Sequence, residues 1–297
     1  MQLDIFENSR EVMLRNDAAH ALERRDADGA LEACERLAQE YPADEALPAL
    51  RVLAGYIEAT EADRQVALRD HESLREARQT LQEIIRFAAQ RTFGEPAAAV
   101  WVAARWQDLA RRAGTLAFDA RYPHDHAAAL WLRAGDWENA AQAVESIESW
   151  RRIPVPLAWM AEARLKLLGL RPSWPLLAEL GWLSPALLGE VAQRAADPLL
   201  TQLMRSFEAN FDAASTDGGE AGDLSWFAAW VLTERSDLRE ALALAQASQH
   251  SAPEQATRLM VELLGLERQG RHSDIVARRK VLRDLQPALY AAYMKRR

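Results

Sequence analysis

The chain has very little of what stabilises extracellular domains and membrane anchors. It has one cysteine, Cys34, in 297 residues, which excludes an intramolecular disulfide and fits a reducing compartment. Charged residues interrupt every apolar run before it reaches the length of a membrane-spanning helix. Residues 1–10 have no apolar segment of the kind that signal peptides carry. We therefore expect a cytoplasmic protein that does not enter a membrane.

Familiar catalytic motifs are missing as well. The sequence has no glycine-rich phosphate loop followed by Lys-Ser or Lys-Thr, no nucleophile elbow and no His-Glu-x-x-His zinc helix. Its closest approach to a metal-ligand cluster is His124-Asp125-His126. Asp125 occupies the same position in its turn as Asp44 does in an earlier one, so we expect it to cap the helix that follows. We expect no enzymatic activity, no metal and no cofactor.

Composition favours helices and argues against bulk nucleic-acid binding. Glycine and proline are few, at 13 and 12, and 49% of the residues are apolar, with many Ala and Leu. The net charge of −8 opposes binding to a polyanion. The exception is the tail Arg271–Arg297, which has eight cations and two carboxylates. A solvated helix face is favoured there over a site for nucleic acid or an acidic partner.

Two similar turns separate amphipathic segments of the chain. Tyr41-Pro42-Ala43-Asp44 and Tyr122-Pro123-His124-Asp125 repeat one Tyr-Pro-x-Asp pattern, in which proline ends a helix and aspartate can cap the next. Asp63–Arg91 predicts one long helix. The other helices predicted from periodicity and turn residues cover 10–25, 30–40, 45–60, 127–133, 137–150, 157–168, 226–233, 238–248, 253–269 and 273–285.

The segment from Leu132 to Ala140, Leu-Arg-Ala-Gly-Asp-Trp-Glu-Asn-Ala, resembles the hairpin turn of a tetratricopeptide repeat, and Tyr-Pro-x-Asp resembles its exit. Turns at Arg235 and Gly270 are 35 residues apart, near the repeat's period of about 34 residues. The likeness covers 17–53, 126–169 and 224–294, and the whole chain is also similar to proteins of proteobacteria. It implies an all-α, irregular α-solenoid of helical hairpins that binds other proteins. The predicted divisions are a tail 1–9, hairpins 10–95, a Trp-rich part 96–211, a loop 212–222 and hairpins 223–297.

All ten tryptophans lie between Trp101 and Trp230. Those surrounded by Ala, Val and Leu are expected to fill the core, namely Trp101, Trp131, Trp159 and Trp230. Those near turns and polar residues could instead line a partner-binding groove, because tryptophan is enriched at interaction hot spots, namely Trp137, Trp150 and Trp174. Packing in the core is the favoured interpretation of all of them.

The N-terminal residues Gln2-Leu3-Asp4-Ile5-Phe6 resemble the pentapeptide with which bacterial proteins bind the DNA sliding clamp. The resemblance implies that Gln2 binds a polar subsite while Ile5 and Phe6 fill a hydrophobic pocket. Alternatively, Leu3, Ile5 and Phe6 pack against the first helix. The function predicted from sequence is a non-enzymatic scaffold for protein–protein interaction, with tethering to the clamp in replication or repair as its specific form. The alternative is a ligand- or peptide-sensing regulator with a Trp-lined pocket.

Overall fold

A computed structural model describes residues 2–211, 223–246 and 250–296, and the side chains from residue 10 onward. Within these ranges the protein is helical and contains no β-strand, so the prediction of an all-α fold is confirmed. No helix in the same ranges combines the length and the apolar character needed to cross a bilayer. The predicted loop 212–222 lies outside the described residues.

The chain folds as two compact units, Met1–Asn139 and Ala140–Arg297. In chain order, the first eight helices are α1 (Gln2–Glu23), α2 (Ala27–Glu40), α3 (Leu47–Glu61), α4 (His71–Thr80), α5 (Arg86–Phe93), α6 (Ala97–Arg112), α7 (Ala127–Ala134) and α8 (Trp137–Glu145). A turn of π-helix, Leu81–Ile85, joins α4 to α5. Those that follow are α9 (Pro154–Leu168), α10 (Leu170–Leu183), α11 (Pro185–Ala195), α12 (Pro198–Asn210), α13 (Phe227–Glu234), α14 (Arg239–Leu242), α15 (Ala252–Gln269), α16 (His272–Leu285) and α17 (Pro287–Lys295).

In the first unit, helices pack mainly against their neighbours in the chain: α1 on α2, α2 on α3, α3 on α5, and α6 on both α5 and α7. Consecutive helices joined by short turns form hairpins, as the sequence predicts for this part. Cys34 of α2 is 1% exposed and belongs to the core. The arrangement of the hairpins as a solenoid stays a prediction.

The two Tyr-Pro-x-Asp turns have the same backbone geometry. The amide of Asp44 donates to the carbonyl of Tyr41 at 3.1 Å, and the amide of Asp125 donates to that of Tyr122 at 3.0 Å. Both aspartates are buried. The carboxylate of Asp44 accepts from Arg15 of α1, and that of Asp125 from two arginines of α4. The repeated motif is therefore an anchor that ties a turn to a neighbouring helix.

The predicted capping role of Asp125 is wrong. His126 caps α7 instead, because its Nδ1 accepts from the amide of Ala128 at 3.1 Å. The Asp125 carboxylate accepts from Arg78 at 2.7 Å and from Arg75 at 3.3 Å, since both arginines of α4 reach this buried position. Asp44 does bind the amide of Ala46 at 2.7 Å, just before α3.

His126 predicts a pH dependence of stability. Burial, with a smaller contribution from His71, lowers the pKa of His126 from 6.5 to about 4, so the folded protein resists protonation that the unfolded chain accepts. Stability is complete above pH 6.5 and falls as the pH drops toward 4, by about 2 kcal/mol between pH 7 and pH 5. Urea unfolding at both values should show this loss in the wild type and a smaller loss in His126→Asn, which keeps a capping side chain. Equal losses in the two proteins would contradict the assignment.

Several helix boundaries differ from their predicted positions. Helix α1 begins at Gln2, eight residues before its predicted start at residue 10. The long helix expected over Asp63–Arg91 begins only at His71, because Asp70 caps it by accepting from the amide of Ser73. The helix expected over 238–248 is a 3₁₀ turn followed by the short α14.

In the second unit, α10 is the central helix. It packs against α9, α11, α13 and α14, and its residues from Ser173 to Trp182 are all buried. Trp174 contacts Phe227, which in turn meets Phe207 and Trp230. These rings form the aromatic core of the unit. Of the tryptophans expected in the core, three are buried and Trp131 is half-buried.

Candidate functional site

A cavity of about 240 Å³, lined by both charged and apolar residues, lies in the first unit between α3, α4 and α6. Helix α3 contributes Tyr56 and Thr60, and α6 contributes Asp108. Four guanidinium groups line the same cavity, from Arg25, Arg64, Arg105 and Arg112. We call this site the arginine cavity. Of the four, Arg105 is buried and the others are half-buried. A buried arginine is normally paired, so Arg105 requires an explanation.

The register of α6 places its polar residues on the cavity side. Arg105, Asp108 and Arg112 follow one another at intervals of three and four residues, which puts them on one face of a helix. The other buried residues of this helix are mostly apolar, among them Trp101 and Trp106. The arginine face is thus a polar stripe on an otherwise core-forming helix.

Arg105 is the most unusual residue of the cavity. It is only 5% exposed, and its Nε and Nη1 atoms have no hydrogen-bond partner among the residues that the structure describes. Its nearest carboxylate oxygen, Oδ2 of Asp108, is 3.8 Å from Nε and beyond hydrogen-bond range. The guanidinium carbon lies 4.4 Å from the centre of the Trp101 ring, which supplies a cation–π contact.

The environment of Arg105 opposes its charge. Burial, followed by repulsion from Arg25, lowers the pKa of Arg105 from 12.5 to about 10. The side chain stays protonated at neutral pH, and holding that charge in the folded state costs about 3 kcal/mol. A buried cation whose N–H groups lack acceptors is a candidate site for an anion.

Arg25 reaches the cavity from a strained backbone position. It follows α1 with a φ of 61°, in the left-handed region where glycine or asparagine is favoured. Its Nη1 donates to Asp108 at 2.5 Å, while its buried Nε has no hydrogen bond within the described residues and lies 3.5 Å from Glu61. Arginine at this turn costs about 1–2 kcal/mol of backbone strain that glycine would avoid.

The cavity carries an excess of positive charge. Asp108 is the one carboxylate among the described residues that line it, and it accepts from Arg25 and from Arg111. Glu61 forms an ion pair with Arg64 at 3.7 Å and is 46% exposed on its side chain, outside the lining. Burial raises the pKa of Tyr56, which therefore remains a hydroxyl donor at neutral pH. The interior thus offers many donors and few acceptors.

The residues singled out by sequence lie elsewhere. The backbone of Gln2–Phe6 forms the first turns of α1, and the side chains of this segment lie outside the described residues. Trp137, in the first unit, and Trp150, in the second, are half-buried. Trp174 is 1% exposed and lies 5.9 Å from the ring centre of Phe227, so its proposed place in a groove is wrong. Trp174 belongs to the core, because every residue of α10 from Ser173 to Trp182 is buried.

The basic tail is largely neutralised by its neighbours. Arg278 of α16 pairs with Glu262 of α15 at 2.9 Å, and Arg296 is bound by Glu234 of α13. Further ion pairs join Arg271 to Asp274, Arg279 to Glu267 and Arg283 to Asp284. These contacts favour a solvated helix face over a polyanion-binding surface.

The described residues contain no group of three or more His, Cys, Asp or Glu side chains that could hold a metal ion. Comparisons with protein-family models, with curated proteins and with solved structures gave no match. The tetratricopeptide likeness and the clamp motif therefore stay predictions.

Proposed function

We propose that this protein is a non-enzymatic helical regulator that senses a small phosphate-bearing ligand in the arginine cavity. The observation that carries the proposal is the buried, incompletely hydrogen-bonded guanidinium of Arg105. The sequence-based alternative is a regulator with a Trp-lined pocket. The present proposal keeps the regulator and places its ligand in a site lined by arginines. A single cysteine that suits a reducing compartment supports a cytoplasmic location.

Phosphate matches the charge of the cavity better than a simple carboxylate does. Four arginines and one carboxylate give the lining a net charge of about +3, so an anion of charge near −2 neutralises more of it than a carboxylate of charge −1 does. Its oxygens can accept from several arginines at once, which suits the fork geometry of guanidinium. At about 30 Å³ per water, the volume of 240 Å³ equals about eight waters, room for a phosphate and a short organic group.

Ligand binding would change the interactions between the helices of the first unit. The cavity joins the end of α1 to α3, α4 and α6, so one anion would bridge elements that are distant in sequence. It would also remove the repulsion between Arg25 and Arg105. The ligand would bind the folded arrangement that brings these arginines together. Its presence would therefore raise the free energy of unfolding. That response is the physical basis of a sensor.

Thermal unfolding in different anions tests the proposal. We expect sodium phosphate to raise the melting temperature above that in sodium chloride of equal ionic strength, with acetate giving a smaller rise. A ligand at 100 times its dissociation constant adds about 2.7 kcal/mol to stability. Sulfate should act like phosphate at the site. Because both anions also stabilise proteins in general by exclusion from their surface, Arg105→Met is the control, and its rise in melting temperature should be smaller. Identical melting temperatures in phosphate, sulfate and chloride would refute the proposal.

A second candidate function rests on the N-terminal motif alone. We propose that Gln2-Leu3-Asp4-Ile5-Phe6 tethers the protein, as a scaffold, to the bacterial sliding clamp in replication or repair. Because the backbone of α1 begins at Gln2, an extended bound form requires its first turns to unwind. Helix ends open at low free-energy cost, so this is compatible with micromolar binding.

The clamp hypothesis has a direct test. The purified protein should bind a bacterial sliding clamp in surface plasmon resonance, and a Gln2→Ala, Phe6→Ala double variant of equal melting temperature should lose that binding. An intact protein that does not bind the clamp would assign Leu3, Ile5 and Phe6 to packing.

A further inference from the structure

A second cavity, of about 410 Å³, lies in the second unit. Its walls come from the end of α10, from α14 and from one face of α15. This volume is within the range of sites that bind small organic molecules. We call it the Trp182 cavity, after the residue of α10 that lines it. It shares no residue with the arginine cavity.

Two hydrogen-bond donors in this cavity are buried without acceptors. Trp182 is 6% exposed, and its indole Nε1 has no partner in the described part of the chain. The same holds for the Nε atom of Arg239, at the start of α14. A buried indole N–H normally has an acceptor, so an unpartnered one on a residue that lines a cavity marks a position where the acceptor atom of a ligand would be stabilised.

The rest of the lining is mainly apolar. Leu242 contributes to the lining from α14, and Val261 and Leu266 contribute from α15. Gly265 gives the guanidinium its space, because a Cβ atom there would lie 3.1 Å from Nη1 of Arg239. The cavity therefore combines an apolar body with a positive, donor-bearing end.

The other charges of the cavity are already paired. Arg258 binds Glu254 at 3.2 Å, Arg271 binds Asp274 at 2.7 Å, and the carboxylate of Glu262 accepts from Arg278 outside the lining. Arg239 has only a long ion pair with Glu240, at 3.7 Å. Arg239 is thus the cation with the most unused bonding capacity at this site.

We propose that the Trp182 cavity binds an apolar carboxylate. One or both carboxylate oxygens accept from the indole N–H of Trp182 and from Nε of Arg239, and the apolar part of the ligand packs against Leu242, Val261 and Leu266. Such a group can come from a free organic acid or from the C-terminus of a peptide with an apolar last residue. The site acts independently of the phosphate-binding function proposed above.

Calorimetric titration of the full chain distinguishes these sources. The probes are octanoate, octanol and octylamine for the free acid, and acetyl-Gly-Gly-Leu as the acid and as the amide for the peptide. We expect octanoate or the peptide acid to bind, and octanol, octylamine and the peptide amide not to bind. Octanoate alone would identify a free acid, and the peptide acid alone a peptide C-terminus.

Two variants locate the binding. Trp182→Phe removes the donor and keeps most of the ring, and Arg239→Met removes the cation. Each should weaken carboxylate binding about tenfold or more, since each deletes a hydrogen bond to a charged group. Arg283→Met is the control, because Arg283 lies on α16, is 55% exposed on its side chain and does not line the cavity.

Melting temperatures of all variants, measured without ligand, ensure that only folded proteins are compared. Should one variant fail to fold, the other decides the question. The proposal is overturned if no carboxylate binds, if octanol binds as tightly as octanoate, or if the folded variants bind like the control.

Discussion

Replacing Arg151 with methionine should lower the free energy of unfolding by about 3 kcal/mol, because it leaves a buried carboxylate without its cation. Glu179 of α10 is 2% exposed and accepts from Nε and Nη2 of Arg151 at 3.0 and 3.4 Å. Among the described residues, the other hydrogen bond to this carboxylate comes from the backbone amide of Gln246, at 2.7 Å. Urea unfolding of the wild type and the variant at pH 7.5 measures the loss.

The loss should shrink in acid. Burial already raises the pKa of Glu179 in the wild type, with Glu254 adding to the shift and Arg151 opposing it. Removing Arg151 raises that pKa further, so the variant's folded state favours the protonated carboxyl. Its deficit relative to the wild type is then largest above the folded pKa and decreases as the pH falls toward 5. The double variant Arg151→Met, Glu179→Gln should recover part of the stability. A deficit that is the same at pH 5 and pH 7.5 would contradict this account.

Replacing Arg105 with methionine should stabilise the ligand-free protein by about 1–3 kcal/mol, which is the reverse of the usual effect of a core substitution. The change removes a buried cation repelled by Arg25, and methionine can pack its thioether against Trp101. Asp108 is left with ion pairs to Arg25, Arg64 and Arg111, so no carboxylate is stranded.

A matched control separates this effect from a general change of charge. Arg121→Met removes one positive charge from a side chain that is 79% exposed, and its ion pair with Asp119 lies outside the cavity. Its effect on the free energy of unfolding should be small, because ion pairs between exposed side chains contribute little to stability. If Arg105→Met is instead destabilised by several kcal/mol in phosphate-free buffer, Arg105 is a structural residue and the anion site loses its support.

The helix ends that the sequence predicts well are those with a local cause. Pro42 ends α2 after Tyr41, and Gly135 and Gly270 end α7 and α15 in the left-handed conformation that glycine permits. These signals act over a few residues. The early start of α1 carries no such signal, because residues 2–9 contain neither proline nor glycine to mark a helix boundary.

The sites could not be predicted because their residues meet through the fold. Arg25 and Asp108 are 83 residues apart and come together only when α1 and α6 are packed in the first unit. The spacing of Arg105, Asp108 and Arg112 was a signal available in the sequence, but an exposed face explains such a stripe equally well. Trp174 was misplaced for the same reason, since its burial depends on Phe227, which lies in a later helix.

Calorimetric titration of inorganic phosphate into the wild type, Arg105→Met and Arg121→Met tests the central claim most directly. Melting temperatures measured beforehand establish that each protein is folded. The account predicts that phosphate binds the wild type and Arg121→Met alike, and that Arg105→Met binds about tenfold to a hundredfold more weakly, as expected when charged hydrogen bonds are lost. Equal binding by a folded Arg105→Met, or no heat of binding to the wild type, would contradict it.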